Sequence, residues 1–169
     1  IEESERDLIQ NVFEFDDRRV INIQTLRKNI SAINVTTSVK EAIDYAIEEG
    51  YSRYPVYEES LDNIIGILYT KDLMRQLMAN PNETDVRGIL REPIFISESA
   101  MIKHVLKQFQ KKRVQMAIVT NEVGEVAGIV SMEDILEELV GEIQDEYDNE
   151  DPIVERLDKG VYLVNAHNA

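Results

Sequence analysis

The sequence has no cysteine, no tryptophan and only two histidines among its 169 residues. Disulfides and thiolate metal sites are therefore excluded, and His104 and His167 alone argue against a histidine-based zinc site. No apolar run approaches the roughly 20 residues that span a bilayer, and the N-terminus lacks the basic-then-apolar order of a signal peptide. We expect this chain by itself to be soluble, and the absence of cysteine fits a reducing compartment.

Basic residues are also scarce, because 18 Lys and Arg oppose 33 Asp and Glu and the net charge is -15. This balance disfavours a general affinity for nucleic acid or anionic lipid, since both attract basic surfaces. A polyanionic ligand would need a local pocket of basic side chains or backbone amides. Patterns for catalysis are missing as well: there is no nucleophile with an identifiable base and no Gly-rich phosphate loop. We predict that the protein is not an enzyme.

The sequence does contain an internal repeat. The stretches Gly66 to Asp72 and Gly128 to Asp134 each run from a glycine through apolar residues to a hydroxyl residue and an aspartate. Their glycines and aspartates are 62 residues apart, since 128 minus 66 equals 134 minus 72. The same offset aligns other apolar residues: Val39 with Met101, Ile43 with Val105, Ile47 with Phe109, Val56 with Ile118 and Ile64 with Val126. A period of this size predicts a duplicated supersecondary unit.

Each unit is predicted to read strand, helix, strand, strand, helix. The fold class is then mixed α/β (α+β), with two β-α-β-β-α repeats packed about a pseudo-twofold axis. Ser38 and Glu41 form a capping box before a helix that Gly50 ends, and Pro55 marks its strand as an edge strand, a bulge or an exposed turn. A helix over 1–15 is predicted to precede the repeats and to serve packing or connection. Other predicted elements of the first repeat are a strand over 18–25, a polar turn at 60–63, a strand over 64–69 and a helix over 71–78 with Leu73, Met74 and Leu77 inward. Those of the second are a strand over 94–96, a helix capped by Ser99, strands over 115–119 and 126–130, and a helix over 133–143.

An acidic run over residues 145–151 follows the second repeat. We interpret it as a solvated linker rather than a cation site, because the glycine and the ligand spacing of a calcium-binding loop are missing. Residues 153–164 then begin a strand-rich segment that the chain does not complete. We therefore expect a piece of a longer protein.

The repeated strand ends are the first candidate site. Backbone N–H groups at a helix N-terminus favour a phosphate, to which a hydroxyl at Thr70 or Ser131 can donate. The carboxylates of Asp72 and Asp134 can accept from the two hydroxyls of a ribose. The same residue types also serve ordinary helix capping, and this alternative is the stronger one on local grounds.

A second candidate site is the stretch Tyr51 to Val56. Its tyrosine and Pro55 offer a flat apolar surface for a purine, and Arg53 offers a bidentate donor for phosphate. A core tyrosine beside a surface arginine explains the pattern equally well. The second repeat has glutamine and alanine in place of the arginine and the proline. The two potential pockets are therefore chemically unequal.

Longer stretches carry a family resemblance: Tyr51 to Tyr57, Asp62 to Gly66 and Met132 to Ile143, with the acidic Asp145 to Asp148 and the leading Val12 to Phe15. With the repeated strand-end motif, they resemble a tandem pair of CBS domains, or Bateman module. More closely, they resemble the CorC/HlyC (hemolysin-like, TlyC) family, which is related to the CNNM magnesium transporters. The resemblance covers nearly the whole chain.

The resemblance implies a cytoplasmic regulatory segment of a cell-membrane protein, between an N-terminal membrane domain and a C-terminal CorC/HlyC domain. It implies binding of an adenine nucleotide, ATP or AMP, with Mg2+, coupled to magnesium or cobalt efflux. It also implies a homodimer formed through the CBS module, and no nucleic acid. The implied domains are a connecting helix over 1–19, CBS domains over 20–82 and 83–144, and the acidic linker with the start of an incomplete C-terminal domain over 145–169.

The implied pocket draws on both repeats. Asp134 would hold the ribose, Ser131 and Arg53 the phosphates, and Tyr51 and Pro55 would bound the base. Because the protein is acidic, a bound triphosphate would need a divalent cation. The predicted nucleotide-binding residues are Thr25, Tyr51, Arg53, Pro55, Ser131, Glu133 and Asp134.

Alternatives stay open at the level of the site and of the function. Thr70 and Asp72 form a second candidate site, which we interpret as vestigial or as simple helix caps. A ligand-free structural dimerisation module would form a dimer that is indifferent to nucleotide. A secreted haemolysin, as the older family name suggests, is disfavoured by the absence of a signal peptide or a membrane-inserting segment.

Overall fold

The structure is a computed structural model that describes residues 18–146, with side chains as far as residue 141. The predicted helix over 1–15, most of the acidic run and the segment after it lie outside the described residues. The strands are β1 (Thr25–Leu26), β2 (Ile33–Asn34), β3 (Arg53–Glu58), β4 (Ser60–Tyr69), β5 (Phe95–Ser97), β6 (Met116–Thr120) and β7 (Val126–Ser131). The α-helices are α1 (Val39–Glu49), α2 (Thr70–Ala79), α3 (Ile102–Lys112) and α4 (Met132–Glu146).

The strands form two sheets, one with the order β2-β3-β4 and one with the order β1-β7-β6-β5. Each sheet belongs to one repeat, β2-α1-β3-β4-α2 or β5-α3-β6-β7-α4. The parallel pairs obey the repeat spacing, because Ile33 lies opposite Val56 and Phe95 lies opposite Ile118. The predicted fold class and element order are therefore confirmed. β1 precedes the first repeat along the chain but joins the sheet of the second, with Thr25 opposite Ile129.

The apolar core has three parts. One cluster lies under the helices of the first repeat and another under those of the second. A third joins the two halves, and its buried members come from strands of both sheets. Burial of this apolar surface holds the repeats together. The buried residues of the third cluster are Ile64, Ile67, Met116, Ile118 and Val126.

Helix α1 begins and ends as its local sequence predicts. The hydroxyl of Ser38 accepts a hydrogen bond from the Glu41 backbone N–H at 3.2 Å. At the other end Gly50 has a φ of 80°, the left-handed conformation that glycine adopts without steric cost, and its N–H donates to the carbonyl of Ala46. The Ser38 N-cap and the glycine stop are both confirmed. The capping box is incomplete among the described residues, because the Glu41 side chain accepts from the Ser38 hydroxyl at 3.1 Å and not from the Ser38 backbone N–H.

Strand β3, which contains Pro55, has a neighbouring strand on both sides over only part of its length. Pro55 lies opposite Ile67 of β4, whereas β2 joins β3 at Val56 and Tyr57, beyond the proline. A bulge follows directly after Val56. The missing N–H therefore costs no ladder hydrogen bond, and the prediction of an edge position or a bulge is confirmed.

Two predicted strand boundaries are wrong. Residues 18–25 are not a strand: a 3-10 turn, Val20–Asn22, precedes the two-residue β1. Val20 is fully buried in the second repeat's core and its N–H donates to the carbonyl of Ala100, so tertiary contacts override the local pattern. Residues 60–63 are not a turn but the exposed start of β4, because the hairpin closes at Glu59, whose φ is 71°.

Two further details of the helices differ from the predictions. Ser99 does not cap α3, because the N-cap is Met101, two residues later. In α2 only Leu73 is buried, whereas Met74 and Leu77 remain 42% and 40% exposed. The apolar stripe of α2 is therefore wider than the core it contacts.

Candidate functional site

Arg53 is the one charged residue among the described residues that is buried. It opens β3 in the first repeat, and its Nη2 pairs with the carboxylate of Glu133 at the start of α4 in the second. Its Nη1 donates to Oε1 of Gln115 at 2.7 Å. The Arg53 side chain is only 8% exposed, but that of Glu133 is 64% exposed. A buried cation of one half is thus held by a carboxylate that water can reach.

The contact between Arg53 and Gln115 locates the pseudo-twofold axis. The two residues are repeat equivalents, since 115 minus 53 is 62, and equivalents touch one another only close to the axis. Nε of Arg53 is buried and has no hydrogen-bond partner. An unsatisfied buried donor costs about 1–3 kcal/mol, so a hydrogen-bond partner at this nitrogen would be stabilising.

The turn between β7 and α4 lies beside Glu133. Ser131 Oγ accepts from the Asp134 N–H at 3.1 Å, and Asp134 Oδ2 accepts from the Ser131 N–H at 3.0 Å. This reciprocal pair is a capping box, so the capping interpretation is right for this turn. The Met132 N–H donates to the Gln115 carbonyl at 2.8 Å and fixes the turn against β6. Capping leaves the second carboxylate oxygen of Asp134 available.

The remaining predicted pocket residues lie on neighbouring strands. Thr25 is opposite Ile129, two residues before Ser131, and its hydroxyl has no partner among the described residues. Tyr51 is 59% exposed and packs edge-on against the buried Tyr54, with ring centroids 6.1 Å apart. Pro55 is buried in β3.

The structure therefore joins the predicted residues in two direct pairs. Arg53 contacts Glu133, and Ser131 contacts Asp134. No hydrogen bond in the described part of the chain links Tyr51 or Thr25 to either pair. Arg53 is buried, whereas the alternative interpretation of Tyr51 to Val56 required a surface arginine beside a core tyrosine.

The corresponding turn of the first repeat has different chemistry. Helix α2 begins at Thr70, 62 residues before α4, so Tyr69 and not Thr70 is the counterpart of Ser131. Tyr69 is the N-cap and its side chain caps nothing. The Thr70 hydroxyl instead donates to the Tyr51 carbonyl at 2.8 Å. The interpretation of Thr70 and Asp72 as helix caps is therefore wrong.

Asp72 is held by an arginine of the segment that connects the repeats. Arg91 Nε donates to Asp72 Oδ2 at 2.8 Å and Nη2 donates to Oδ1 at 3.2 Å. The guanidinium carbon lies 4.0 Å from the centroid of the Tyr69 ring, in cation–π contact. These hydrogen bonds lower the pKa of the Asp72 carboxyl below its ordinary value, and its partial burial opposes them only in part. At the second candidate site, Arg91 therefore occupies both carboxylate oxygens that Asp72 would offer to a ligand.

This ion pair predicts a pH-dependent contribution to stability. A carboxyl whose pKa is lowered by folding stabilises the fold above its unfolded pKa, and the contribution is lost as the pH falls through the lower folded pKa. We expect Asp72→Asn to remove about 1 kcal/mol or less at neutral pH, because Arg91 is partly exposed. The difference in the free energy of unfolding between the parent and the variant should therefore shrink as the pH falls from neutral to about 3. A constant difference down to that pH would contradict the assignment.

The sequence interpretation missed three residues of this region. Gln115 was detectable, because the 62-residue register places it opposite Arg53. Tyr69 was detectable too, because the same register places it opposite Ser131. Arg91 carried no signal, since its contact depends on how the connecting segment returns to β4, where Arg91 pairs with Ile67.

Residues 18–146 contain neither a candidate membrane-spanning helix nor a candidate metal-binding cluster. No helix there has the length and apolar character needed to cross a membrane. In the same part of the chain, no three His, Asp or Glu side chains are grouped so as to hold a metal ion.

Comparisons with known proteins agree with this architecture. The CBS domain family matches twice, over residues 20–79 and 85–141. The magnesium and cobalt efflux protein CorC of Pasteurella multocida is 38% identical over 98% of this chain and 56% of its own length. Hemolysin C of Brachyspira hyodysenteriae is 38% identical over 97% of this chain and 60% of its own length. The chain thus spans little more than half of these relatives.

A solved structure gives the same assignment. The CBS domain of a bacterial CNNM/CorC family Mg2+ transporter, in complex with ATP, has 34% identity and a TM-score of 0.73. The match covers 82% of this chain and 98% of that one. With two matched repeats, their shared axis and these relatives, this chain belongs to the CBS-domain family, as a tandem CBS pair of the CorC/HlyC type.

Proposed function

We propose that this chain is the adenine-nucleotide-binding regulatory pair of a CorC/HlyC-type membrane protein and modulates magnesium or cobalt efflux. The observation that carries the proposal is Arg53, a buried guanidinium at the joint of the two halves with an unused Nε donor. It lies beside the Ser131 to Asp134 turn, where a helix begins. The ATP complex of the similar transporter domain supports the same ligand class.

The residues divide the work of binding by their chemistry. Arg53 donates to phosphate oxygens, and the exposed Glu133 carboxylate that now holds it turns to solvent or to a divalent cation. Ser131 donates its hydroxyl to a phosphate. Asp134 accepts from the ribose with the oxygen that capping leaves available. Tyr51, Pro55 and Thr25 bound the base, and the module binds the nucleotide without converting it.

Binding reaches the rest of the protein through α4. Glu133 lies in the first turn of α4, and this helix leads to the acidic linker. When a phosphate replaces the Glu133 carboxylate as the partner of Arg53, the two halves lose one direct ion pair, and the position of α4 shifts. The membrane domain and the C-terminal domain implied by the longer relatives would respond to that shift from the cytoplasmic side.

A homodimer is the second part of the proposal. Met74 on α2 and Leu136 on α4 are repeat equivalents, and both are exposed, at 42% and 41%. Leu77 and Met78 extend the same apolar surface, and Met78 is 84% exposed. Exposed apolar residues at equivalent places in both repeats support an isologous contact with a second copy.

Thermal unfolding with and without nucleotide tests this function. At a concentration about 100-fold above Kd, ATP or AMP is expected to stabilise the chain by about 2.7 kcal/mol, a rise in Tm of roughly 5–10 °C. GTP serves as the control for recognition of the base. The alternative function is a ligand-free dimerisation module. In that case light scattering would show a dimer, and no nucleotide would change its Tm.

A further inference from the structure

Helix α3 concentrates positive charge in a protein whose net charge is -15. Residues 102–113 contain no Asp or Glu, and they hold five of the chain's 18 basic residues. The buried side of α3 is formed by Ile102, Val105, Leu106 and Phe109, so the opposite side faces solvent. The five basic residues are Lys103, Lys107, Lys111, Lys112 and the C-cap Arg113.

The fold gives no account of this array. None of the five side chains forms an ion pair or a hydrogen bond within the described part of the chain. The helix dipole favours Lys111 and Lys112 in the last turn but disfavours Lys103 in the first. Lys103, Lys107 and Lys111 also repel one another at i, i+4 spacing, which destabilises a helix.

The equivalent helix of the first repeat has the opposite sign. Lys103 and Lys111 correspond to Glu41 and Glu49, and α1 also carries Asp44 and Glu48. A solvated face that served only solubility would not need a reversal of charge between two repeats of an acidic protein. The positive charge is therefore a specific property of α3, and it suits contact with an anionic partner.

We propose that the exposed face of α3 docks on an anionic phospholipid surface. Three lysines at four-residue spacing span about 12 Å along a rigid helix, and clusters of four to eight Lys or Arg on a helix are the pattern that anionic headgroups attract. No large hydrophobic residue of α3 is exposed, so the face lacks the apolar anchor that a protein partner needs. Acidic residues more than a Debye length of about 8–10 Å away are screened, so the net charge does not prevent contact.

This inference rests on the proposed membrane context, which places such a surface next to the module. Its test is flotation of the chain at low salt with vesicles of phosphatidylcholine alone or of an equal mixture with phosphatidylglycerol. We expect binding to the anionic vesicles only, with loss at high salt. The triple variant Lys103→Gln, Lys107→Gln, Lys111→Gln is expected to bind them about 100-fold more weakly. It should fold normally, because the substitutions relieve repulsion.

The matched control is Lys28→Gln, Lys40→Gln, Lys71→Gln, which changes the net charge equally and should retain vesicle binding. Equal loss in both triple variants, or no binding by the parent chain, would overturn the proposal. Charge-dependent dimerisation through α3 without vesicle binding would overturn it as well, in favour of a second copy as the partner. The Tm rise with ATP should be the same in the parent and both variants, so failure here is distinct from failure of the nucleotide site.

Discussion

Replacing Arg53 with methionine is expected to weaken adenine-nucleotide binding roughly 10- to 100-fold, the worth of a hydrogen bond to a charged group. Methionine fills a similar volume in the buried position but cannot donate to a phosphate. The Glu133 carboxylate that loses its partner is 64% exposed, so water can solvate it. The variant should therefore remain folded, and the loss should appear in binding.

The control for this variant is Arg87→Met. Arg87 pairs with Glu58 at the surface and lies outside the proposed site. Isothermal titration of both variants with ATP separates the loss of a phosphate donor from the general loss of a positive charge. Equal affinity in the Arg53 and Arg87 variants would show that the buried guanidinium does not contact the ligand.

Replacing Gly128 with alanine is expected to destabilise the fold by about 3 kcal/mol, at the upper end of the cost of overpacking. A Cβ at this position would lie 2.2 Å from the Thr25 carbonyl oxygen and 2.6 Å from Oε1 of Gln24. The carbonyl belongs to β1, which is paired with β7, so the clash can be relieved only if the two strands separate. Separation would also move Thr25 away from the proposed pocket.

Urea unfolding monitored by circular dichroism measures this effect, and Gly88→Ala is the matched control. A Cβ on Gly88 meets no atom within 4 Å. Gly66→Ala should be intermediate, because its closest neighbour, Leu90 Cβ, lies at 2.7 Å rather than at 2.2 Å. Indistinguishable midpoints for the Gly128 and Gly88 variants would contradict the close packing of β1 against β7.

The two halves of the module are unequal for reasons that the structure makes specific. In the second half the turn after β7 retains a hydroxyl and a carboxylate with an available oxygen. In the first half Tyr69 replaces the hydroxyl residue at the N-cap, and Arg91 takes both oxygens of Asp72. Duplication therefore preserved the backbone of the site while the side chains diverged. We expect one nucleotide per chain.

The sequence was sufficient where short-range chemistry decides the structure. Ser38 with Glu41 and the glycine at position 50 define α1 through contacts within a few residues, and the 62-residue register follows from matched apolar positions. The order of elements follows from the same register, whereas the place of Arg53 beside the second half's helix is implied by the family resemblance. Local capping, repeat period and family resemblance thus give the fold class and the candidate pocket.

Features that depend on distant parts of the chain were not predictable. Residues 60–63 look like a turn because they are polar, yet they begin β4, where Ser60 pairs with Glu58 of β3 and Asp62 binds Arg27. The contact of Arg91 with Tyr69 depends on the path of the connecting segment. The burial of Arg53 depends on the packing of one sheet against the other, which no local pattern contains.

Calorimetric titration of the chain with ATP, ADP and AMP, with and without Mg2+, tests whether it binds an adenine nucleotide at the proposed site. We expect saturable heat for at least one adenine nucleotide, at one site per chain. This heat should be lost in Asp134→Ala and retained in the surface control Asp44→Ala. Absence of heat with every nucleotide, or equal binding by the Asp134 variant, would contradict the proposed site.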